Sequence, residues 1–152
     1  MAFVFLFVGR TKEGFVKEGI EKYAGLLKHY VPVDVREIKG ASGGEPQALV
    51  EAEADSILGR LAGTDYVVAF DERGREYGSV EFAGELSGLI ESGRNVVFVA
   101  GGPFGLSERV RQRADRVLSL SKLTFTHEMA RVIVLEQVYR AMTIIKGRTY
   151  HH

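Results

Sequence analysis

The chain has 152 residues, no cysteine and a formal net charge of zero at pH 7, with 45% hydrophobic and 10% aromatic residues. This composition excludes an intrinsically disordered chain, a disulfide framework and a thiolate metal site, and the zero net charge argues against a protein that coats nucleic acid by electrostatics alone. The length favours one domain over residues 1–152.

Apolar segments with strand-like and helix-like periodicity alternate along the chain. In chain order, the pattern predicts five strands, over residues 2–8, 33–38, 66–70, 95–100 and 116–120, and the third of them ends before Asp71. It predicts one helix after each strand, over residues 11–28, 45–61, 80–90, 106–114 and 127–145, with Thr11 as the cap of the first helix. Continuous apolar runs are typical of strands buried on both faces, whereas the alternating segment 33–38 is typical of an edge strand. We therefore predict an α/β fold with a mainly parallel sheet and helices on both faces.

The apolar N-terminus and the lack of cysteine bear on the cellular compartment in which the protein is expected. Residues 2–8 lack the positive flank and the cleavage site of a targeting segment, so we expect a core strand there. No apolar run approaches the length that crosses a bilayer, and we expect no membrane partner. A cysteine-free chain is compatible with a reducing compartment, and we expect a cytoplasmic protein.

Two loops that are close in sequence suggest one pocket. The first, Gly101–Gly105, has a G-G-x-x-G spacing that matches neither a dinucleotide fingerprint nor a phosphate-binding loop. Its glycines allow a ligand to approach the backbone, although a simple tight turn explains this loop equally well. The second, Leu120–Phe125, places backbone polar groups between apolar side chains, which suits an adenine. The strand that ends at Phe70 would bring a third wall to the same edge of the sheet.

His127 stands at the start of the last predicted helix. The helix dipole there disfavours protonation, so we expect a neutral imidazole that could serve as a base or as a hydrogen-bond partner. A helix cap is an equally good interpretation of this residue. Arg131 follows one turn later on the same helix face. The adjacent pair His151 and His152 lacks further ligands, so we expect no metal.

Charge is distributed unevenly along the chain. Residues 1–106 contain 11 Lys and Arg against 16 Asp and Glu, whereas residues 107–152 contain 9 against 4. A basic surface beside a pocket can position a phosphate backbone without making the whole protein bind nucleic acid. For four of the basic residues a solvated helix face is the favoured interpretation: Arg109, Arg111, Arg113 and Arg116.

The last predicted helix is apolar on nearly every side. Residues 132–135 are consecutively apolar, and Val138, Tyr139 and Met142 follow. A helix of this kind must be buried on nearly every side, and in a small chain its second face is expected to pack against another subunit. We therefore predict a homodimer.

Four motifs follow one another in the second half of the chain. They are V-F-V-A-G-G-P-F-G-L over residues 97–106, L-S-L-S-K-L-T-F-T-H-E-M-A-R-V over 118–132, E-Q-V-Y-R-A over 136–141 and Y-H at 150–151. Together with the opening strand that ends in Val8-Gly9, they resemble the RlmH family of SPOUT-class methyltransferases. The resemblance covers essentially the whole chain.

The resemblance implies an S-adenosylmethionine-dependent enzyme that methylates N3 of a pseudouridine in large-subunit (23S) ribosomal RNA. It also implies a homodimer and a C-terminal trefoil knot near residues 101–126. Low net charge favours recognition of the RNA in the assembled ribosome, and the family points the same way. By motif matching, the cofactor contacts are Phe70, Gly101, Gly102, Leu120, Ser121, Lys122, Leu123, Thr124 and Phe125.

The chemistry requires a group that handles the N3 proton while the nitrogen is aligned with the methyl donor. We propose His127 and His151 as candidates for this proton handling. Arg131 and Arg140 are candidates for orienting RNA or stabilising the developing anion, and Tyr150 completes the candidate catalytic set. No metal and no covalent intermediate are needed.

The chain departs from the family pattern at three positions. Thr126 replaces a proline, so we expect a less rigid loop. His152 replaces a lysine or arginine, which is expected to weaken a phosphate contact near neutral pH. Phe70 replaces a common leucine and changes the pocket wall.

Two other hypotheses stay open at this point. A non-catalytic nucleotide- or RNA-binding α/β module would keep the glycine loop and the basic half, but it would not need residues 120–125 together with Tyr150 and His151. A SPOUT methyltransferase with a different RNA target would keep all of these features. The joint presence of the motifs favours the enzyme.

Overall fold

The computed structural model describes all 152 residues around a five-stranded sheet. The strands are β1 (Phe3–Val8), β2 (Val33–Ile38), β3 (Tyr66–Glu76), β4 (Val96–Ala100) and β5 (Arg116–Ser119). The helices are α1 (Gly14–Leu27), α2 (Pro46–Leu58), α3 (Ser79–Glu91), α4 (Glu108–Arg113) and α5 (His127–Ile145). The strand order is β2-β1-β4-β3-β5 and every pairing is parallel, so the predicted fold class is confirmed.

Successive side chains of the central strands point to opposite faces of the sheet, and helices cover both faces. Phe3, Phe5 and Phe98 pack with α1, α3 and α5 on one face, where the rings of Phe5 and Phe98 stack with their centroids 4.9 Å apart. Val4 and Leu6 pack with α2 and α4 on the other face. This two-sided burial explains why the central strands are continuous apolar runs. Because all strands are parallel, their carboxyl ends meet at one edge of the sheet.

The first helix begins later than its sequence pattern predicts. α1 starts at Gly14 after Glu13, which makes no side-chain cap hydrogen bond. The expectation that Thr11 caps this helix is wrong, because Thr11 is buried and its hydroxyl accepts a hydrogen bond from Arg131. Phe15, the second residue of α1, is 61% exposed although it is apolar.

The third strand is longer than predicted. Instead of ending before Asp71, β3 runs to Glu76, with a register shift between Phe70 and Arg75. Gly74 permits this bulge, because a Cβ there would lie only 2.6 Å from the backbone nitrogen of Leu118. The turn-like segment 71–74 is therefore a bulge, which displaces residues 71–73 towards the carboxyl edge of the sheet.

The last helix has the predicted bounds, His127–Ile145. Its buried side chains, among them Val134, Leu135 and Val138, pack into the core beside α1 and α3. Ile133 and Ile144 are only half-buried, and the expectation that this side meets another subunit stays a prediction. No helix combines the length and the apolar character needed to span a bilayer.

Candidate active site

A cavity of about 340 Å³ opens at the carboxyl edge of the sheet, where β3, β4 and β5 end. Its volume lies within the range of small-molecule sites, about 300–1,000 Å³. The bulge of β3, the two loops that follow β4 and β5, and the first turn of α5 form its walls. All nine residues predicted to contact a cofactor line it: Phe70, Gly101, Gly102, Leu120, Ser121, Lys122, Leu123, Thr124 and Phe125.

The first loop folds back on itself in a tight turn. The backbone N–H of Gly105 donates to the carbonyl oxygen of Gly102 at 3.0 Å, with Pro103 and Phe104 between them. A Cβ on Gly101 would lie 2.7 Å from the carbonyl oxygen of Gly105, so only glycine allows the two ends of the turn to approach this closely. The tight-turn interpretation and the ligand-loop interpretation are thus compatible, since the turn itself lines the cavity.

The second loop is held by its own serines and exposes apolar side chains. The hydroxyl of Ser119 donates to the carbonyl oxygen of Ser121 at 3.1 Å, and the hydroxyl oxygen of Ser121 accepts from the backbone N–H of Leu123 at 3.0 Å. Leu123 is 76% exposed and Phe125 is 38% exposed. A fixed backbone with exposed apolar side chains at a cavity mouth is suited to the faces and edges of a purine ring.

The bulge of β3 adds residues that the sequence pattern missed. Asp71, Glu72 and Arg73 line the cavity. The Asp71 carboxylate accepts from the backbone N–H of Arg73 at 2.9 Å and lies 3.5 Å from the Arg111 guanidinium of α4, with its side chain only 4% exposed. Asp71 therefore ties the bulge to α4. The signal in the sequence was Gly74, since a glycine inside a strand-like segment often marks a bulge.

The cap of α5 is Thr126, so the interpretation of His127 as the cap is wrong. The Thr126 hydroxyl oxygen accepts from the backbone N–H of Met129 at 3.2 Å. Thr126 has a φ of −60°, which is the angle that a proline would impose. Threonine at this position therefore keeps the backbone angle of a proline and adds a cap that proline cannot provide.

His127 is the predicted catalytic residue that reaches the cavity. Burial lowers the pKa of its imidazole, and the nearby Arg131 cation lowers this pKa further. The neutral ring that the sequence predicts is thus supported, with burial as the leading cause of the lowered pKa. A neutral imidazole at the cavity wall can accept a proton from a bound substrate.

Arg131 does not reach the cavity or the surface. Its side chain is 0% exposed, and its guanidinium donates to the carbonyl oxygen of Val8 at 2.6 Å and to the Thr11 hydroxyl at 2.7 Å. It also lies 5.4 Å from the centre of the Phe7 ring. The expectation that Arg131 orients RNA is corrected, because this side chain binds the end of β1 from inside the protein.

Arg140, Tyr150 and His151 form a second cluster away from the cavity. One carboxylate oxygen of Glu136 accepts from the Arg140 guanidinium at 2.6 Å and from the Tyr150 hydroxyl at 2.9 Å. Arg140 also contacts the Nδ1 atom of His151 at 3.1 Å. Burial, followed by the hydrogen bond to Glu136, raises the pKa of Tyr150. None of these three residues lines the cavity of its own chain, and Arg140 lies thirteen positions after His127, about 20 Å along the helix axis.

The four arginines of the basic half are not merely solvated. Each lies within 4 Å of a carboxylate: Arg109 beside Glu51 and Asp55, Arg111 beside Asp71, Arg113 beside Asp115 two residues later, and Arg116 beside Glu85. These ion pairs link α4 and the start of β5 to α2, β3 and α3. They also neutralise much of the local positive charge.

Glu128 joins the first turn of α5 to the start of α1. Its Oε1 atom accepts from the backbone N–H groups of Lys12 and Glu13, both at 3.0 Å. The hydrogen bond from Glu13 is the largest cause of a lowered pKa of this carboxyl, and burial opposes it. The stabilisation is therefore present above the ordinary glutamate pKa and is lost as pH falls through the lowered value.

We expect the Glu128→Gln variant to unfold at a lower temperature than the wild type at pH 7, because an amide oxygen accepts these hydrogen bonds less strongly than a carboxylate. The two proteins should converge in stability as the pH is lowered below the lowered Glu128 pKa. Thermal unfolding measured at steps from pH 7 to pH 2.5 checks this. A constant difference at every pH would contradict it.

Comparison with known proteins places these features in a family. A family model described as "Predicted SPOUT methyltransferase" matches residues 1–151. The chain is 39% identical over 148 residues to the ribosomal RNA large subunit methyltransferase H of Geobacter sulfurreducens, covering 97% of both chains. It is 41% identical over 140 residues to the protein of the same name from Thermotoga maritima, covering 92% of this chain and 93% of the relative.

Solved structures with low sequence identity share the fold. The tRNA (m1G37) methyltransferase of Aquifex aeolicus matches with a TM-score of 0.55 and 17% identity, over 92% of this chain and 70% of that one. The SpoU methyltransferase AviRb of Streptomyces viridochromogenes matches with a TM-score of 0.51 and 20% identity. That match covers 97% of this chain, which spans 61% of the length of AviRb.

The parallel sheet, with its glycine-walled cavity at the carboxyl edge, is that of a SPOUT-class methyltransferase. Enzymes of this class use S-adenosylmethionine, so the predicted enzyme class and cofactor are confirmed. Within the class, the chain belongs to the ribosomal RNA large subunit methyltransferase H family, RlmH. The resemblance identified from the four motifs is therefore confirmed.

Proposed function

We propose that this protein methylates N3 of a pseudouridine in large-subunit ribosomal RNA, with S-adenosylmethionine bound in the cavity at the ends of β3, β4 and β5. The observation that carries this proposal is that three separate segments of the chain line one cavity. Phe70, the turn at Gly101–Gly105 and the loop at Leu120–Phe125 line it, and His127 stands beside them. Relatives that match nearly the whole chain are named for methylation of this RNA.

The cavity suits the proposed cofactor in shape and chemistry. The close approach at Gly101 keeps one wall flat, and the loop at Leu120–Phe125 offers backbone polar groups beside apolar side chains. Phe70 supplies an aromatic wall where relatives often have leucine. S-adenosylmethionine, when bound, supplies an electrophilic methyl group on a sulfonium centre.

His127 fits the proton handling that the reaction requires. N3 of a uracil ring bears a proton, and its lone pair becomes available only as that proton leaves. A neutral imidazole at the cavity wall can take the proton while the new N3–methyl bond forms and the bond from methyl to sulfur breaks. Burial keeps His127 in this neutral form over a wider pH range than an exposed histidine, since it lowers the imidazole pKa.

The second cluster supports a homodimer. Tyr150 and His151 form a motif of the family, but they contact Glu136 and Arg140 and do not line the cavity of their own chain. In a dimer that pairs along α5, the cluster of one protomer can lie beside the cavity of its partner. The half-buried apolar residues of α5 and the exposed Phe15 of α1 offer an apolar surface for this pairing. Sedimentation at micromolar concentration should return twice the chain mass, and a monomer mass would contradict the dimer.

In this proposal residues 1–152 form one catalytic domain that acts on the assembled ribosome in the cytoplasm. The family resemblance also implies that the chain forms a trefoil knot near residues 101–126, and this stays part of the proposal. Weak, salt-sensitive binding to isolated RNA is expected, because the ion pairs of Arg109 and Arg116 leave few free cations on the basic half.

Calorimetric titration tests the cofactor site. We expect S-adenosylmethionine to bind, and ATP and NAD to bind far more weakly, because the glycine turn lacks the geometry of a phosphate-binding loop. Leu123→Asp, which places a charge on the exposed apolar wall, should weaken binding of S-adenosylmethionine. A preference for ATP or NAD would favour a non-catalytic nucleotide-binding module instead.

A further inference from the structure

The loop between β1 and α1, residues Gly9–Glu13, is unusually well anchored for an exposed connection. The backbone N–H of Gly9 donates to the carbonyl oxygen of Ile38 at 2.6 Å, and that of Thr11 donates to Glu37 at 3.2 Å. The N–H groups of Lys12 and Glu13 both donate to the Glu128 carboxylate at 3.0 Å. Carboxylates from β2 and α5 therefore fix three consecutive backbone donors of this loop.

Arg131 holds the same loop from inside. Its guanidinium binds the Val8 carbonyl oxygen and the Thr11 hydroxyl, and Thr11 is 1% exposed. The residues on either side of Thr11, namely Arg10 and Lys12, are exposed. Burying an arginine that has no carboxylate partner costs folding free energy. Arg131 therefore holds this loop in place at a cost to the stability of the protein.

The two exposed cations of this loop are not neutralised. Neither Arg10 nor Lys12 lies within 4.0 Å of a carboxylate, and the same holds for Lys39 after β2 and Lys122 at the cavity. All four follow the carboxyl ends of strands and are exposed. The paired arginines of α4 differ in this respect, since these four cations at the carboxyl edge of the sheet keep their positive charge free for a ligand.

The loop is also a direct neighbour of the cavity. Glu128, which binds its backbone, follows His127 in the first turn of α5. The charge of Lys12 is near enough to contribute to the lowered pKa of His127, after burial and Arg131. Arg10 and Lys12 thus lie on a loop with a fixed backbone, beside His127, which we propose for proton transfer.

We propose that the loop Gly9–Glu13 docks the RNA backbone, with Arg10 and Lys12 contacting phosphates next to the nucleotide that enters the cavity. Glu128 and Arg131 are positioning residues for this loop. Phosphate contacts of this kind fix the register of a nucleic acid on a protein, while the cavity selects the base. This inference rests on the proposed function and assigns the RNA surface of the same site.

The test is a double variant, Arg10→Gln with Lys12→Gln, assayed by transfer of a radiolabelled methyl group to large ribosomal subunits that lack the modification. We expect the KM for the subunits to rise about tenfold near physiological salt while kcat stays within about twofold. The slope of log kcat/KM against log salt should become less negative by about 1.5, because each lost phosphate contact removes about 0.7 to 0.9. The Kd for S-adenosylmethionine, measured by calorimetry, should not change.

Two controls separate charge from structure. The exchange Arg10→Lys with Lys12→Arg keeps both charges and should keep the KM for the subunits. Lys28→Gln removes an exposed, unpaired charge just after the last residue of α1, at the opposite edge of the sheet, and should have no effect. An unchanged KM and salt slope in the double glutamine variant, or a fall in kcat alone, would overturn the inference while leaving the proposed function intact. Absence of transfer by the wild type would overturn both.

Discussion

Replacing His127 with alanine is expected to lower the turnover number for methyl transfer more than tenfold. A positioned general base contributes about 10²- to 10⁴-fold to the rate of a proton transfer, and His127 is the one histidine that lines the cavity. Alanine is a good helix former, so the first turn of α5 should persist with Thr126 as its cap. Single-turnover rates with saturating S-adenosylmethionine measure the effect on the chemical step.

The pH profile gives this prediction a second readout. A base acts in its neutral form, so activity is lost only as pH falls below its pKa, and burial moves the pKa of His127 below the ordinary histidine value of 6.5. The acidic limb of the wild-type profile should therefore lie below pH 6.5 and disappear in His127→Ala. His29→Ala, an exposed histidine after α1, is the matched control and should keep both rate and profile. Near-normal turnover in His127→Ala would remove this residue from the proposed role.

Replacing Gly101 with alanine is expected to weaken binding of S-adenosylmethionine at least tenfold. The new Cβ would lie 2.7 Å from the carbonyl oxygen and 2.8 Å from the carbonyl carbon of Gly105. Both are backbone atoms, so the turn at the cavity wall must open to accept the methyl group. Overpacking of this kind costs about 1–3 kcal/mol of folding stability as well. Calorimetry and thermal unfolding measure the two effects.

Gly88→Ala in α3 is the matched control for this substitution. A Cβ on Gly88 has no neighbouring atom within 4 Å, and alanine in a helix interior is more stable than glycine by about 0.5–1 kcal/mol. This variant should therefore be slightly stabilised and bind S-adenosylmethionine as the wild type does. Wild-type affinity in Gly101→Ala would contradict the assignment of the glycine turn as a cofactor wall.

The regular part of the fold could be predicted because its signals are local. The continuous apolar runs of β1 and β4 and the alternation in β2 follow from burial on two faces or on one. Both ends of α5 were also predictable, since one long apolar segment with helical periodicity runs from His127 to Ile145. The cap was not predicted correctly, because Thr126 caps this helix and His127 does not.

Long-range contacts account for what the sequence did not reveal. Thr11 resembles a helix cap, but Arg131, 120 residues away along the chain, binds its hydroxyl, and α1 starts three residues later. The D-E-R-G segment after Phe70 has the composition of a turn, yet pairing with β5 continues the strand around a bulge. In both cases a partner that is distant in sequence decides the local structure.

The candidate site also has a part that could be predicted from the sequence and a part that could not. The three segments that line the cavity could be brought together from the sequence because parallel strands bring their carboxyl ends together, so loops that follow strands become neighbours. The nine individual cofactor contacts came from the family resemblance. The catalytic set could not be placed in this way, because one helix carries His127 at the cavity, Arg131 in the core and Arg140 in a cluster outside the cavity of its own chain. Helical spacing places side chains on a face, but it does not say what that face meets.

The most direct test of the central claim is mass spectrometry of ribosomal RNA after incubation of large subunits lacking the modification with this protein and S-adenosylmethionine. The proposed function predicts one additional methyl group on a pseudouridine of the large-subunit RNA, attached at N3. The product should be absent without S-adenosylmethionine and strongly reduced with His127→Ala. Recovery of unmodified RNA under conditions in which S-adenosylmethionine binds, or of a methyl group on a different nucleotide, would contradict it.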